Sequence, residues 1–362
     1  MPWQNKRPED CWPGCTTYSN HFSLERTVNY VGKSILLAIV LASMGLSQQY
    51  TIKFATVAPE GTAWINVMRE YDAAVRKESV GRMGFKIYFG GSQGSEQQYL
   101  RKVKIGQIHS VGVTGVGMGD VAPTVRVLEA PFLVQSYQET DYLLQQFGSE
   151  FAKAFEAGGY VLLGMTDVGF VYVFTKTAIR KPDDLKAIRI WTWEGDPIPE
   201  TAFNVLGINP IALSLDNVRT SLQTGLIDAF YTSQYASIAL QWHTQAKYMV
   251  DVPLTNAAGA VLISKKYFDG LPKDLQDILV NNGRTYMAKL TKLSREDNDK
   301  SVEILKKAGI TFLKAEPKDL EYYLEAGRKS RRMLVGKLYS EELLNRVENA
   351  LAEFRKNNKT SR

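Results

Sequence analysis

An α/β fold in two domains is what this sequence predicts, and three observations predict it. The 362 residues exceed the ~100–200 that one domain usually holds. From Tyr50 onward the text runs strand, loop, helix, strand, loop, helix, strand, the order of parallel strands joined by crossover helices with ligand-facing loops at the strand C-termini. Between Pro272 and Ala308 a helical pattern is nearly unbroken, with Gly283 as its weak point. It would reach about 55 Å at 1.5 Å per residue. That is longer than a small domain is wide, so this helix is expected to brace both domains.

The elements follow in chain order. Tyr50–Thr56 alternates at period two and reads as the first strand. Pro59 and Gly61 end it, and Thr62 stands where it can cap a helix carrying Trp64, Val67, Met68, Tyr71 and Val75. A second strand is expected at Phe85–Phe89, then a Gly/Ser loop, a helix over Glu96–Ile105 and a third strand at His109–Val113. After a helix from Gly148 come strands at Tyr160–Gly164 and Val168–Thr175. Beyond the turn Lys181–Leu185 a strand is expected at Ile188–Trp191 and a helix from Pro197. The helix Asp216–Thr224 leads through Gly225 into the strand Leu226–Tyr231.

Composition narrows the chemistry. Hydrophobic residues make up 44% and charged residues 23%, ordinary for a globular chain. No run approaches the ~18–20 apolar residues of a membrane-spanning helix. Both cysteines, Cys11 and Cys15, lie in the first fifteen residues, so the rest of the chain has no disulfide or thiolate chemistry. Three histidines, His21, His109 and His243, leave little for a metal site or a proton relay. The net charge of +6 comes from 44 basic and 38 acidic residues. No basic block precedes the tail Arg355–Lys359, so a nucleic-acid partner is not expected. Neither a metal nor a cofactor is expected.

Lys33 precedes the apolar run Ser34–Ser47, which has the length and flank of a secretory signal, with Gly45 and Ser47 as small residues before a cut at Gln48. Residues 1–47 are therefore expected to be an N-terminal extension plus signal peptide. The polar text of residues 1–27 is a poor start for such a signal, which points to initiation at Val28 or Val31. The expected product is exported and soluble.

Three motifs invite a chemical reading. Gly90-Gly91-Ser92-Gln93-Gly94 spells G-x-S-x-G between a strand and a helix, where a hydrolase nucleophile would stand. Ser92 would then need His109 or His243 as its base; otherwise the five residues simply make a turn. Gly112, Gly115, Gly117 and Gly119 fall short of a dinucleotide fingerprint, since Asp120 and Pro123 interrupt it, and suit a loop that lets a small ligand approach the backbone. Alternation in Ile188–Trp193 puts Arg189, Trp191 and Trp193 on one side. A guanidinium fork matches a carboxylate, and the tryptophans would wall the pocket. The same arginine could instead be solvated, or paired with Asp183 or Glu194. Phe170, Tyr172 and Tyr231 add aromatic rings near strand ends.

Several stretches in order carry a resemblance. They are the opening strand Tyr50–Thr56 after a signal, and Gly94-x-Glu96 followed by Leu100, Val103 and Gly106. Ala130-Pro131-Phe132-Leu133 comes next, then Lys181–Ile190, Ser221-Leu222-Gln223-Thr224-Gly225-Leu226-Ile227-Asp228, and Leu271–Gln276. Over residues 48–340 the chain resembles the extracytoplasmic solute-binding proteins of tripartite ATP-independent periplasmic (TRAP) transporters, the DctP-type group. The resemblance implies a two-lobed periplasmic-binding-protein fold with crossing strands. Lobe I would be 48–169 with 258–297, and lobe II 170–257 with 298–362. It implies closure on a small organic carboxylate gripped by Arg189, with Thr232, where the family often has Asn, and Thr114 at the ligand. It also implies a periplasmic location and TRAP membrane permease subunits as partners. Val57, Thr114 and Gly117 replace polar residues of the family's sialic-acid branch. With Trp191, Trp193, Phe170, Tyr172 and Tyr231 nearby, the expected ligand is a monocarboxylate with an apolar or aromatic body, and the alternative is a serine hydrolase using Ser92.

Overall fold

The computed structural model describes residues 48–359; the extension and signal expected over residues 1–47 lie outside the described residues. The alternation at Tyr50–Thr56 becomes strand β1, with Ile52, Phe54 and Ala55 buried. Helix α1 (Ala63–Glu78) buries Val67, Met68, Tyr71 and Val75 as its spacing predicts. Thr62 sits at its N-cap, but the hydroxyl donates to the Pro59 carbonyl instead of accepting from the helix. Strand β2 (Met83–Tyr88), helix α2 (Glu96–Lys104), strand β3 (Ser110–Thr114) and helix α3 (Gly115–Val121) follow. Ser95 and Gln98 form a reciprocal capping box at the start of α2, which satisfies two otherwise unpaired backbone amides.

The chain continues through α4 (Tyr137–Ala157), β4 (Tyr160–Thr175), β5 (Trp191–Trp193), α5 (Pro197–Val205), β6 (Ile211–Leu213), α6 (Val218–Thr224), β7 (Ala229–Ser233), α7 (Gln234–Ala239) and β8 (Tyr248–Ser264). It ends with α8 (Lys265–Asp269), α9 (Lys273–Lys307), β9 (Thr311–Leu313), α10 (Pro317–Met333) and α11 (Glu341–Lys359). The main sheet has the order β2-β1-β3-β8-β4-β7, with β9 beside β8, and β5 pairs with β6 separately. Pairing is parallel where the β-α-β text predicts it, between β1 and its neighbours β2 and β3. The long strands β4 and β8 run antiparallel to each other, and β8 is antiparallel to β3.

The two strands expected at Tyr160–Gly164 and Val168–Thr175 are one. Strand β4 is continuous through register shifts at Leu162/Gly164, Asp167/Gly169 and Val171/Val173. Bulges re-aim side chains without ending a strand, so β4 serves two separate cores. Its Leu163 packs with β1 and α1 residues, whereas Val173 and Phe174 pack with residues of the 179–250 stretch. Helix α9 likewise contributes Leu275, Leu279 and Met287 to the first set and Leu305 to the second. At ~1.5 Å per residue its 35 residues reach across both.

Gly283 is no weak point in this helix. A Cβ there would lie 2.5 Å from the Leu163 carbonyl oxygen, and one at Gly164 would lie 2.6 Å from Met287 Cγ. The glycines let α9 lie directly on β4. Asn298 Nδ2 donates to the Val168 carbonyl, and its Oδ1 accepts from the Tyr235 amide. The last segment divides: Leu305, Ile310 and Tyr323 pack with the 179–250 residues, but Leu334, Leu343, Leu344, Val347 and Leu351 share a core with Phe147 and Phe151 of α4. Helix α11 thus packs with elements expected in lobe I, because its apolar stripe is covered by α4. Among the described residues no helix is long and apolar enough to cross a membrane.

Candidate ligand-binding cavity

The C-terminal ends of β1 and β3 and the start of α1 face β5, α5 and the β7–α7 turn across a cavity of about 220 Å³. Its wall is mainly apolar, and Trp64, Phe132, Trp191, Trp193, Phe203, Tyr231 and Trp242 all line it. Strand β5 positions the central pair. Trp191 is buried, its Nε1 donates to the Leu213 carbonyl at 2.9 Å, and its ring stacks on Tyr231 with centroids 5.0 Å apart. Trp242 meets the same indole edge-on at 5.2 Å. The Tyr231 hydroxyl accepts from the Trp193 amide at 3.3 Å, and burial pushes its pKa well up, so it stays a neutral phenol. Packed, hydrogen-bonded rings of this kind form a rigid apolar surface.

At one side of the wall lies a buried ion cluster. Arg126 and Glu129 lie on the 3-10 turn Pro123–Glu129, where side chains three apart eclipse each other. Arg126 Nε is 2.7 Å from Glu129 Oε2, and its Nη2 donates to both oxygens of Asp196 at 3.0 Å. Asp196 caps α5, accepting from the Ile198 amide at 3.1 Å, while Glu129 accepts from the Ala258 amide at 2.8 Å. All three charged residues are under 9% exposed and line the cavity. Burial works to lower the Arg126 pKa, but Asp196 and Glu129 overcome it and hold the guanidinium protonated. Burial pushes the Glu129 carboxyl up, against the pull of Arg126. A Cβ at Gly115 would clash with Glu129 Oε2, which is why α3 begins with glycine beside the cluster.

A second buried acid supports the cavity from behind. Glu96, at the start of α2, accepts from the Thr114 amide at 2.8 Å, the Thr114 hydroxyl at 3.1 Å and the Gly117 amide at 2.6 Å. These contacts hold Thr114, which lines the cavity. Burial raises the Glu96 pKa to about 7, with the same three donors opposing it.

Of the residues singled out from the sequence, Thr114, Trp191, Trp193, Tyr231 and Thr232 are brought together here. Arg189, expected as the ligand-gripping cation, is not among the residues lining the cavity. Strand β5 begins only at Trp191, so the alternation does not extend back to residue 189. The Arg189 amide and Nε both donate to Asp228, at 2.8 and 2.9 Å, and its carbonyl accepts from the Asp228 and Ala229 amides. The side chain is 56% exposed, and its partner is neither Asp183 nor Glu194. Phe170 and Tyr172 also miss the cavity. Phe170 packs on Tyr137 with centroids 5.0 Å apart, and Tyr172 joins the core around Phe174. The bulges of β4 present Val168 and Val171 instead.

Ser92 is exposed in a turn. The rings it would need are engaged elsewhere: His109 Nδ1 lies 3.0 Å from the Thr51 carbonyl with the ring stacked on Tyr267, and His243 Nδ1 lies 3.1 Å from the Ser237 carbonyl. The hydrolase constellation is not assembled. Among the described residues no cluster of His, Cys, Asp and Glu is placed to hold a metal ion. Trp64, Phe132, Phe203, Trp242, Arg126 and Glu129 line the cavity without having been expected there. Arg126 and Glu129 did carry a signal, as the only charges in the stretch 121–134 and spaced i,i+3.

Comparison with known proteins gives the family and the fold. The family model for bacterial extracellular solute-binding proteins, family 7, matches residues 54–335. The chain is 21% identical over 277 residues to the C4-dicarboxylate-binding periplasmic protein DctP of Rhodobacter capsulatus, covering 76% of this chain and 83% of that one. It is 26% identical over 251 residues to the 2,3-diketo-L-gulonate-binding periplasmic protein YiaO of Escherichia coli K12, covering 68% and 75%. A TRAP periplasmic solute-binding protein from Desulfovibrio salexigens, solved with bound orotic acid, shares the fold at a TM-score of 0.78 and 20% identity, over 84% of this chain and 99% of its own. One from Citrobacter koseri with bound D-glucuronate does so at 0.76 and 22%, over 82% and 98%.

Proposed function

Because the chain belongs to the bacterial extracellular solute-binding proteins of family 7, the DctP family, we propose that it is the solute-capturing subunit of a TRAP transporter for a small molecule with an apolar or aromatic body. In this reading the protein works in the periplasm after removal of its signal, binds without chemistry, and hands its ligand to membrane permease subunits. The observation that carries it is the aromatic cavity between two sets of elements: Trp64 comes from α1 on one side, and Trp191 and Trp193 from β5 on the other. A solute touching both sides stabilises the arrangement in which they meet. Strands β4 and β8 and helix α9, shared by both sets of cores, are the elements about which the two lobes would close.

The two-pronged grip of Arg189 on a ligand carboxylate has no place in this reading, since Arg189 lies outside the cavity. The apolar body keeps its place, because the rings that would hold it are there. Native mass spectrometry of the purified protein, followed by a thermal-shift screen of small aromatic and aliphatic solutes, tests the proposal. The expected result is a bound or stabilising solute whose effect is lost in Trp193→Ala. Absence of any such solute, with esterase turnover abolished by Ser92→Ala, would overturn it in favour of the hydrolase.

A further inference from the structure

The relatives of known structure named above hold acids, whereas the charges lining this cavity are already spent on one another. Arg126 is ion-paired with Glu129 through Nε and donates Nη2 to both oxygens of Asp196, and all three side chains are more than nine-tenths buried. Two carboxylates against one guanidinium leave the cluster no positive excess. The one other arginine expected at the site faces outward on Asp228, and Trp191 stands on the inner wall in its stead. Resting on the proposed capture of an aromatic or apolar solute, we infer that the ligand is uncharged: the cavity accepts a compact apolar molecule bearing a neutral hydrogen-bonding group and rejects its carboxylate.

The physical reason is desolvation without compensation. A carboxylate entering an apolar cavity sheds its hydration and needs a paired cation or several donors in return. Here it would meet a guanidinium already ion-paired with two carboxylates, in surroundings where the repulsion from those acids is screened weakly. A neutral group pays far less to enter and can find a partner. Thr255 lines the cavity with a buried hydroxyl that has no hydrogen-bond partner among the described residues. A cation gains less than the acidic residues alone would offer, because both carboxylates are already paired with Arg126.

Isothermal titration of the purified protein at pH 7 with two matched series tests this: phenylacetamide, phenylacetate and phenethylamine, and indole-3-acetamide, indole-3-acetate and tryptamine. The amide is expected to bind at least tenfold more tightly than the acid in the ring series that fits, and more tightly than the amine. Asp196→Asn keeps a good helix N-cap and releases Arg126 from one carboxylate, so the amide-to-acid preference should fall several-fold. Equal or tighter binding of the acid, or of the amine, overturns the inference while leaving solute capture intact. Binding of none of the six compounds overturns the aromatic-solute reading itself, and the inference with it. The wild-type ratio decides the matter even where the variant folds poorly.

Discussion

Two arginine–aspartate pairs show how differently the same chemistry behaves in two regions of this molecule. Arg189 and Asp228 meet at the surface, with the arginine side chain 56% exposed. Arg126 and Asp196 meet beside the cavity, with side chains 4% and 8% exposed. Both pairs use a guanidinium donating to a carboxylate at 2.9–3.0 Å. In water the first is screened and contributes little. In the interior the second cannot lose a partner without stranding a charge. The arginine inside a recognisable motif is the exposed one, and the arginine inside an unremarked apolar stretch is the one that shapes the cavity.

The contrast can be broken from the buried side first. Arg126→Ala leaves Glu129 and Asp196 buried without their cation and should lower stability by about 3–5 kcal/mol, read as a shift in the urea midpoint with the slope unchanged. A loss under ~1 kcal/mol would place the cluster in solvent.

Buried acids sharpen it next. A carboxyl whose native pKa is raised to about 7 from 4.5 binds its proton more tightly folded than unfolded, so stability falls as pH rises from about 4.5 to 7 and then levels off. Glu96 should contribute up to about 3 kcal/mol of that fall. Glu129 and Asp167, also raised by burial, act in the same direction. Denaturation of wild type and Glu96→Gln at pH 5 and pH 8 isolates the Glu96 share, which should be missing from the variant; parallel pH profiles would refute it.

On the ligand side, Trp193→Ala removes a half-buried ring from the cavity wall and should weaken solute binding tenfold or more, about 1.4 kcal/mol, as calorimetry would show. The smallest effect belongs to the surface pair. Arg189→Ala should cost about 0.2–1 kcal/mol of stability and leave solute affinity within threefold. A large affinity loss there would reinstate Arg189 as a ligand contact.

Much of this organisation is legible in the text. Period-two alternation at Tyr50–Thr56 and the spacing of Val67, Met68, Tyr71 and Val75 depend on burial of one face, which the local pattern records directly. The 35-residue helix is likewise local. Trp191, Trp193 and Tyr231 were found because large rings near strand ends face either core or cavity. The site's other half was hidden for a different reason. Trp64 and Trp242 stand 178 positions apart and line one cavity only because β1 and α1 come round to face β5 and the β7–α7 turn. The direction of Arg189 depends on where β5 begins, and Asp228, 39 residues on, decides that by binding the Arg189 backbone and side chain together.

By itself, then, the sequence determined the element types, the α/β class, the DctP-like order of motifs and the Trp191–Trp193–Tyr231 part of the aromatic wall, because those follow from local periodicity and short-range spacing. Tertiary structure alone decided that β4 is one bulged strand, that Gly283 marks a close approach of helix to sheet, and that α11 packs on α4. It also decided which arginine faces the cavity. Each of these depends on contacts between segments far apart in the chain, and burial, which sets the strength of every charge here, exists only once those contacts form.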